Sequence, residues 1–350
     1  MLQKINALFG AQDMTEGRPM SALLRFSVPL LIGNFAQQMY STVDSIIIGR
    51  YVGDKALSAI GTTLPIINLL LVLFMAISTG AGIMVAQYYG AKEKESLVRS
   101  ISNAMTLVFI SSLVVMAIGI PLTGSLLRLT KTPVETFDMA RSCLTIVLWG
   151  TMAFGFYNIV SGILRGLGNS LFPLLTLLLT SCLNVILDIW FVAGLDMGVA
   201  GAAWATIISV AISAVICIIK LSRMKDVVRI DARSLIPCKK LTSQLLRLGL
   251  PAGITQAIFS MSMVFVQALA NSMGYQVVTC TTAVMRIDGF AMMPNFTFGM
   301  AIATFVGQNI GANRMDRVNQ GSKDMLKLSL FTSSVLVALL LIFGKYLITM

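Results

Sequence analysis

The sequence has no histidine at all, and only 12% of its residues are charged. Histidine is the usual general base near neutral pH and the commonest metal ligand, so the side chain that many hydrolases and metalloenzymes depend on is absent. The HExxH and GxSxG motifs are missing as well. A membrane-embedded enzyme would need a nucleophile and a base, or metal ligands, at a working spacing. We therefore expect a protein that is not an enzyme.

Cysteine is scarce and scattered. The number of cysteines is odd, and no two of them have the CxxC spacing. This pattern supports neither a disulfide framework nor a zinc site. The five residues stand singly, mostly inside apolar runs: Cys143, Cys182, Cys217, Cys238 and Cys280.

Long apolar runs dominate what is present. Hydrophobic residues make up 56% of the chain, and they fall in runs of about 20 residues, the length of a helix that crosses a hydrocarbon core of roughly 30 Å. The alternating pattern of a membrane β-barrel is not seen. The sequence predicts an all-α polytopic membrane protein with about nine transmembrane helices, near residues 24–48, 59–83, 100–124, 137–161, 171–194, 198–220, 248–271, 278–304 and 326–345.

The formal net charge of +11 follows the predicted topology. If the N-terminus is cytoplasmic, the outer loops carry only Arg50, Lys55, Arg128 and Lys131, and the other loop Lys and Arg residues lie inside. This distribution obeys the positive-inside rule. We therefore expect a multi-pass protein of the plasma (inner) membrane of a bacterium or a similar cell, in contact with lipid and not with nucleic acid. The first helix would act as an uncleaved signal-anchor.

Two parts of the sequence resemble each other at a constant spacing. Gln87–Lys92 (QYYGAK) corresponds to Gln308–Asn313 (QNIGAN), 221 residues later, and Pro29 corresponds to Pro251, 222 residues later. Such a repeat is typical of secondary transporters. Because six helices separate the two units, both start on the same side of the membrane, and the repeats are expected to be parallel.

The repeat predicts three regions. Residues 1–221 form an N-terminal lobe of helices one to six, residues 222–243 a basic cytoplasmic linker, and residues 244–350 a partial second lobe of helices seven to nine. A second repeat like the first would need about 100 further residues. We therefore expect the second lobe to be incomplete and the chain alone not to transport. The alternative is a natural nine-helix protein.

Ionisable residues inside membrane helices are costly and therefore candidates for function. Asp44 in helix one and Asp188 in helix five both lie roughly 9 Å from the outer end of their helix, at 1.5 Å per residue. Two carboxylates in one desolvated pocket cannot both be charged at low cost, so the pocket should bind a proton or a small cation. Hydrogen bonding between helices is the alternative role. The predicted coupling site, which also offers oxygen ligands for Na⁺, comprises Asp44, Asn184, Asp188 and Thr206.

Further polar residues are predicted to line the cavity. Helices one, five and seven each carry them at steps of three, four or seven residues, which place them on one helical face. Pro29 should bend helix one and could act as a hinge, although a static kink is the alternative. Arg286 and Asp288 in helix eight are assigned a structural or gating role. The lining set is Asn34, Gln37, Ser41, Thr180, Gln256, Ser260 and Gln267.

Five segments resemble the multidrug and toxic compound extrusion (MATE) transporters. They are Met14–Gly17 (MTEG), Arg25–Leu31 (RFSVPLL), Gln37–Arg50 (QQMYSTVDSIIIGR), Leu164–Asn169 (LRGLGN) and Val306–Ala312 (VGQNIGA). The resemblance covers residues 14–350. It implies a V-shaped pair of lobes with twelve helices in the full-length family member, which we expect to be a monomer.

The resemblance implies antiport: export of lipophilic, often cationic, small molecules such as drugs and toxins in exchange for H⁺ or Na⁺, with no cofactor besides the coupling ion. Asp44, Asn184, Asp188 and Thr206 match its coupling residues, and Pro29 matches its bending proline. Two positions depart from the family pattern. Cys143 stands where a fourth-helix tyrosine is common, and Ser260 where the sodium-coupled branch has a glutamate.

The main alternative is a lipid-linked oligosaccharide flippase of the same superfamily. Such a protein usually places Arg or Lys in its central cavity to hold a pyrophosphate. Here the predicted membrane interior has almost no cations apart from Arg286. The sequence therefore favours neutral or cationic cargo.

Overall fold

The computed structural model describes residues 12–129, 132, 134–224, 238–272 and 275–349. Within the helices, the side chains of residues 40–46, 270–288 and 343–349 and of a few single positions fall outside that description. The described regular structure is helical throughout: α1 (Pro19–Tyr51), α2 (Asp54–Gly90), α3 (Lys94–Leu129), α4 (Val134–Trp149), α5 (Thr151–Gly166), α6 (Leu171–Asp188), a π-helical turn (Ile189–Gly194), α7 (Gly198–Arg223), α8 (Lys239–Ser272), α9 (Tyr275–Gly311) and α10 (Met315–Thr349).

The predicted helical membrane fold is confirmed. Each of the nine predicted apolar runs lies within these helices, and the run 137–161 is divided at Gly150 into α4 and α5, which meet at an angle of 49°. Six helices in the described part of the chain are long and apolar enough to cross a membrane, or seven if the bent pair counts as one span. The predicted linker, residues 222–243, lies mostly outside the described residues, so the proposed lobe boundaries stay a prediction.

The two repeated segments end their helices in the same way. Lys92 follows α2 with φ 58°, and Asn313 follows α9 with φ 57°, so both adopt the left-handed conformation that closes a helix. The backbone N–H of Glu93 donates to Tyr88 O at 3.1 Å, and that of Arg314 donates to Asn309 O at 2.8 Å. The sequence likeness therefore reflects a shared helix-ending geometry.

The same segments also contact each other. A Cβ on Gly90 would overlap the carbonyl of Gln308, and a Cβ on Gly311 would overlap the carbonyl of Gln87. Only glycine allows the backbones of α2 and α9 to approach this closely. Gly311 and Gln87 are the equivalents of Gly90 and Gln308 in the other repeat, 221 positions away, and the two pairs make the same contact. A two-fold axis that relates the repeats produces such reciprocal contacts.

α1 and α2 connect the parts of the molecule. α2 packs against α5, α8 and α9 and contributes Phe74, Ile77 and Met84 to the largest apolar core. α1 packs on α6, with Gly33 against Leu174, and its other face joins α9 in a second core that includes Leu23, Phe26, Leu30, Phe298 and Phe305.

Candidate ion site in the first lobe

The polar face predicted for helix five is buried. Thr176, Thr180, Asn184 and Asp188 repeat every four residues on α6, and Asn184 and Asp188 are 1% and 0% exposed. A carboxylate fully enclosed in a membrane helix is expensive to keep charged, so it is either neutralised by a proton or paired with a cation. The π-helical turn Ile189–Gly194 begins directly after Asp188, and such turns often accompany functional sites.

The helices bring Asp44, Asp188 and Thr206 to one level. Ile48 of α1, Val192 after α6, and Ala202 and Ala203 of α7 share one apolar cluster, and each lies about one helical turn from one of these three residues. α1 and α6 run in the same direction, because Gly33 lies against Leu174 near one end and Ile48 and Val192 belong to one apolar cluster near the other. The side chains of Asp44 and Ser41 lie outside the described residues.

Asn184 is the least satisfied member of the site. Among the described residues neither its Oδ1 nor its Nδ2 has a hydrogen-bond partner, and the same holds for the Ser209 hydroxyl on α7. Leaving such buried groups unpaired costs about 1–3 kcal/mol each. Thr206 is half-buried, and its hydroxyl donates to Ala202 O at 3.0 Å. Amide, hydroxyl and carboxylate oxygens at one depth have the chemistry of a site for Na⁺ or a proton.

The other predicted lining residues are dispersed. The Asn34 amide donates to Thr297 Oγ1 on α9 at 2.8 Å, so this side chain joins α1 to the second repeat. Gln37 is exposed on α1, and Pro29 is half-buried in the same helix. Gln256 and Ser260 are half-buried on α8. Besides Ser41 and Asp44, three further side chains singled out in the sequence lie outside the described residues: Gln267, Arg286 and Asp288.

Cys143, which stands at the position of the family's tyrosine, lies next to the site level. It is 6% exposed and belongs to the same cluster as Ile48 and Val192. Its Sγ is 4.0 Å from Thr63 Oγ1 of α2. A thiol therefore occupies the space between α2 and α4 at this depth.

Sequence reasoning missed the contribution of α7 below Thr206. Ser213 is buried, and its hydroxyl donates to Thr180 Oγ1 at 2.7 Å, which links α7 to the polar face of α6. The signal was present in the sequence, because Thr206, Ser209 and Ser213 are spaced by three and four residues and share a helical face.

A second missed arrangement involves the repeated QNIGAN segment. Arg317 of α10 donates from Nη1 to Gly17 O at 2.6 Å, from Nη2 to Met14 O at 3.1 Å and from Nε to Asn309 Oδ1 at 2.9 Å. Gln308 Oε1 accepts from the Met14 N–H at 2.8 Å. The MTEG segment is therefore held by α9 and α10, which no local pattern indicates.

Comparisons with known proteins identify the family. The family model described as MatE matches residues 29–190 and 251–350, and its two segments begin at Pro29 and Pro251. The chain is 30% identical over 338 residues to the probable multidrug resistance protein YpnP of Bacillus subtilis, covering 97% of the chain and 76% of that protein. It is 29% identical to the probable multidrug resistance protein YoeA of the same organism over 332 residues, covering 93% and 72%.

Solved structures agree with the sequence comparisons. The chain matches a multidrug resistance MATE transporter in an outward-facing conformation with a TM-score of 0.90 and 26% identity, covering 97% of this chain and 75% of the other. A MOP superfamily transporter from Pyrococcus furiosus matches with a TM-score of 0.89 and 26% identity over the same shares. Members of this family are transporters rather than enzymes. The chain belongs to the MATE family of membrane transporters.

Proposed function

We propose that the protein is a secondary active antiporter that exports lipophilic neutral or cationic small molecules in exchange for an inward-moving cation. The observation that carries this proposal is the buried pair Asn184 and Asp188 on α6, level with Asp44 on α1. Ionisable groups enclosed in membrane helices are costly to keep and commonly mark ion or proton sites.

The arrangement suggests how ion binding and lobe movement are linked. α1 carries Asp44, packs on α6 through Gly33, and reaches the second repeat through the bond from Asn34 to Thr297. Pro29 removes a hydrogen bond within the same helix and makes it easier to bend. Neutralising the site would change the preferred path of α1 and hence its contacts with α9.

The cargo is proposed from two observations. The relatives YpnP and YoeA are named multidrug resistance proteins. Along the described part of α1, the side chains Asn34 and Gln37 are neutral, which suits lipophilic cations better than the pyrophosphate of a flippase. One solved relative, from Pyrococcus furiosus, is described as having a binding pocket of reversed polarity that suggests a different function, so cargo has to be measured for each member.

We take H⁺ as the main coupling ion and Na⁺ as the alternative. Ser260 replaces the glutamate of the sodium-coupled branch, which removes one carboxylate from the second repeat. The oxygens around Asp188 still suit Na⁺.

The test is ligand binding by the purified chain as a function of pH and Na⁺. Binding of tetraphenylphosphonium should weaken as the pH falls, because a proton on the site replaces the charge that attracts the cation. Asp188→Asn should remove this pH dependence, whereas Asp196→Asn, in an exposed turn, should retain it. Wild-type pH dependence in Asp188→Asn would contradict the coupling site, and displacement by Na⁺ without any effect of pH would contradict the choice of ion.

A further inference from the structure

A column of polar side chains runs through the first lobe, starting at Asp188. Along α6 it continues with Asn184, Thr180 and Thr176, each one turn further from Asp188. α7 adds Ser213, whose hydroxyl donates to Thr180 Oγ1 at 2.7 Å. The Thr180 hydroxyl in turn donates to the carbonyl of Thr176 at 2.9 Å. The hydroxyls of α6 and α7 therefore meet at this depth, and Ser213 has a second acceptor in Ser209 O at 3.0 Å.

The column continues beyond α6 to the end of the lobe. The thiol of Cys217 on α7 lies beside Thr176 and Ser161. Tyr157 on α5 lies beside Ser161 and within electrostatic reach of Arg165. Arg165 is in the last turn of α5, at the end of the lobe that the charge distribution predicts to be cytoplasmic. Polar groups thus extend from the ion site to that end.

Four atoms of this column are buried without hydrogen-bond partners in the described part of the chain. They are both amide atoms of Asn184 and the hydroxyls of Ser161 on α5 and Ser209 on α7. A network that served only to join helices would pair these atoms, because unpaired polar groups in a membrane interior are costly. Internal water is the usual partner of such buried groups. Each unpaired atom is therefore a position at which water can bind, near Asn184 and Ser209 at one end of the column and near Ser161 at the other.

From this geometry we infer that the column is a proton path between the coupling site and the cytoplasmic end of the first lobe, and that Arg165 is the barrier that closes it. The inference rests on the proposed function, because Asp188 must bind the transported proton. In this file of water and hydroxyl groups each oxygen accepts one proton and releases another, so only the charge moves, and water bridges the Thr176 carbonyl, which has no proton to release. A fixed guanidinium charge beside a narrow path repels protons and other cations, as it does in selective pores.

Passive proton flux tests the path directly. The full chain is reconstituted into vesicles that contain a pH-sensitive dye, and a pH gradient is imposed without cargo. Arg165→Gln should raise the flux at least about tenfold, which corresponds to roughly 1.4 kcal/mol of barrier. Adding Thr180→Val and Ser213→Ala, which remove two hydroxyls of the file at nearly constant volume, should return the flux to the wild-type level.

Matched controls lie off the column. Arg223 is exposed in the last turn of α7, and Arg223→Gln removes a charge from the same end of the lobe. The hydroxyls of Thr255 and Ser222 are in exposed positions and donate within their own helices, to Pro251 O and Ile219 O. Adding Thr255→Val and Ser222→Ala to Arg165→Gln should therefore leave the leak unchanged.

The outcomes separate this inference from the proposed function. If Arg165→Gln leaks no more than Arg223→Gln, or if the leak carries Na⁺ and not H⁺, the proton path is wrong. The pH-dependent binding lost in Asp188→Asn would still support the coupling site in that case. If the pH dependence of binding is instead unchanged in Asp188→Asn, both the coupling site and the proton path are wrong.

Hydroxyl-radical footprinting tests the water file in the unmodified protein, which matters if Arg165→Gln does not fold. Radicals formed from internal water oxidise side chains next to it even when these are shielded from bulk solvent. Cys217 and Met84 are both 0% exposed and belong to the same core, but only Cys217 adjoins the column. After division by the intrinsic reactivity of each side chain, which is higher for a thiol than for a thioether, we expect the oxidation of Cys217 to be well above that of Met84. Equal protection of both would overturn the hydrated column.

Discussion

At the scale of single residues, the first lobe holds polar groups that cost stability. Asn184 is 1% exposed and its amide forms no hydrogen bond with the described residues, whereas the equally polar Asn158 on α5 donates to Phe154 O at 2.8 Å. The two side chains are chemically identical. A hydrogen bond within the protein compensates the burial of Asn158, but none compensates the burial of Asn184 among the described residues. A site that binds an ion often keeps such groups at the expense of stability.

Replacing Asn184 should therefore stabilise the fold and impair the site. Asn184→Leu removes, at nearly the same volume, an amide that no described protein group pairs. It is expected to raise the free energy of unfolding by about 1 kcal/mol, because water bound at the amide offsets only part of the cost of burying it. Asn158→Leu breaks an existing bond and should give no such gain. Thermal unfolding in detergent measures the change in stability. The pH dependence of tetraphenylphosphonium binding measures the impairment of the site. A destabilised Asn184→Leu variant would show that the amide is satisfied after all.

Cys238 is expected to be the most reactive thiol among the described residues. It is exposed just before α8, and the backbone N–H groups of Leu241 and Lys240 lower the pKa of its thiol by stabilising the thiolate. A lower pKa increases the thiolate fraction at neutral pH, so alkylation should be faster than at an ordinary exposed cysteine. The comparison is Ser243→Cys in a Cys238→Ser background, one turn into the helix. The prediction is contradicted if the pH at which the alkylation rate of Cys238 is half-maximal is at or above the corresponding pH of the comparison variant.

At the scale of helices, the sequence predicted where helices lie better than where they bend. The nine apolar runs follow from hydrophobic length alone, and all of them are helical. The break at Gly150 was not predicted. Gly150 lies against Ile207 of α7, where a Cβ would overlap the side chain, and a contact between helices this far apart in sequence has no local signal. Helix counting predicts a common level for Asp44 and Asp188. The pairing of Ser213 with Thr180 depends instead on how α6 and α7 rotate against each other, which sequence periodicity does not fix.

Glycines on α9 should respond oppositely to substitution. Gly311→Ala places a methyl group against the carbonyl of Gln87 where α2 and α9 cross, and is expected to destabilise the protein by about 1–3 kcal/mol. A methyl group on Gly299 of the same helix would meet no described atom within 4 Å, so Gly299→Ala should stabilise by about 0.5–1 kcal/mol through helix propensity. Thermal unfolding of the two variants decides the point. Equal shifts in melting temperature would mean that α2 and α9 can move apart at their crossing to accommodate the methyl group.

At the scale of the whole molecule, residues 12–17 join both repeats at the end that we predict to be cytoplasmic. The Gln12 N–H donates to Leu167 O at 2.9 Å in the first repeat. Gln308 of the second repeat donates from Nε2 to Gly166 O at 3.0 Å, and Arg317 holds Gly17. Any movement that opens the molecule at this end has to break these contacts. The free energy of such a lobe movement therefore depends on a small set of hydrogen bonds made by residues 12–17.

Removing the Arg317 contacts should therefore loosen this end of the molecule. The side chain is 7% exposed and donates four hydrogen bonds, three of them to backbone carbonyls of residues 14–17. In Arg317→Gln the amides of residues 12–20 should exchange with deuterium at least about tenfold faster, since the loss of one charged hydrogen bond costs about 1.5–3 kcal/mol. The control is Arg314→Gln, because Arg314 is exposed and its ion pair with Asp316 is 3.8 Å long. Exchange that is the same in both variants would show that the segment is held by its backbone contacts with Leu167 alone, and Arg317 would then be a local support for the start of α10.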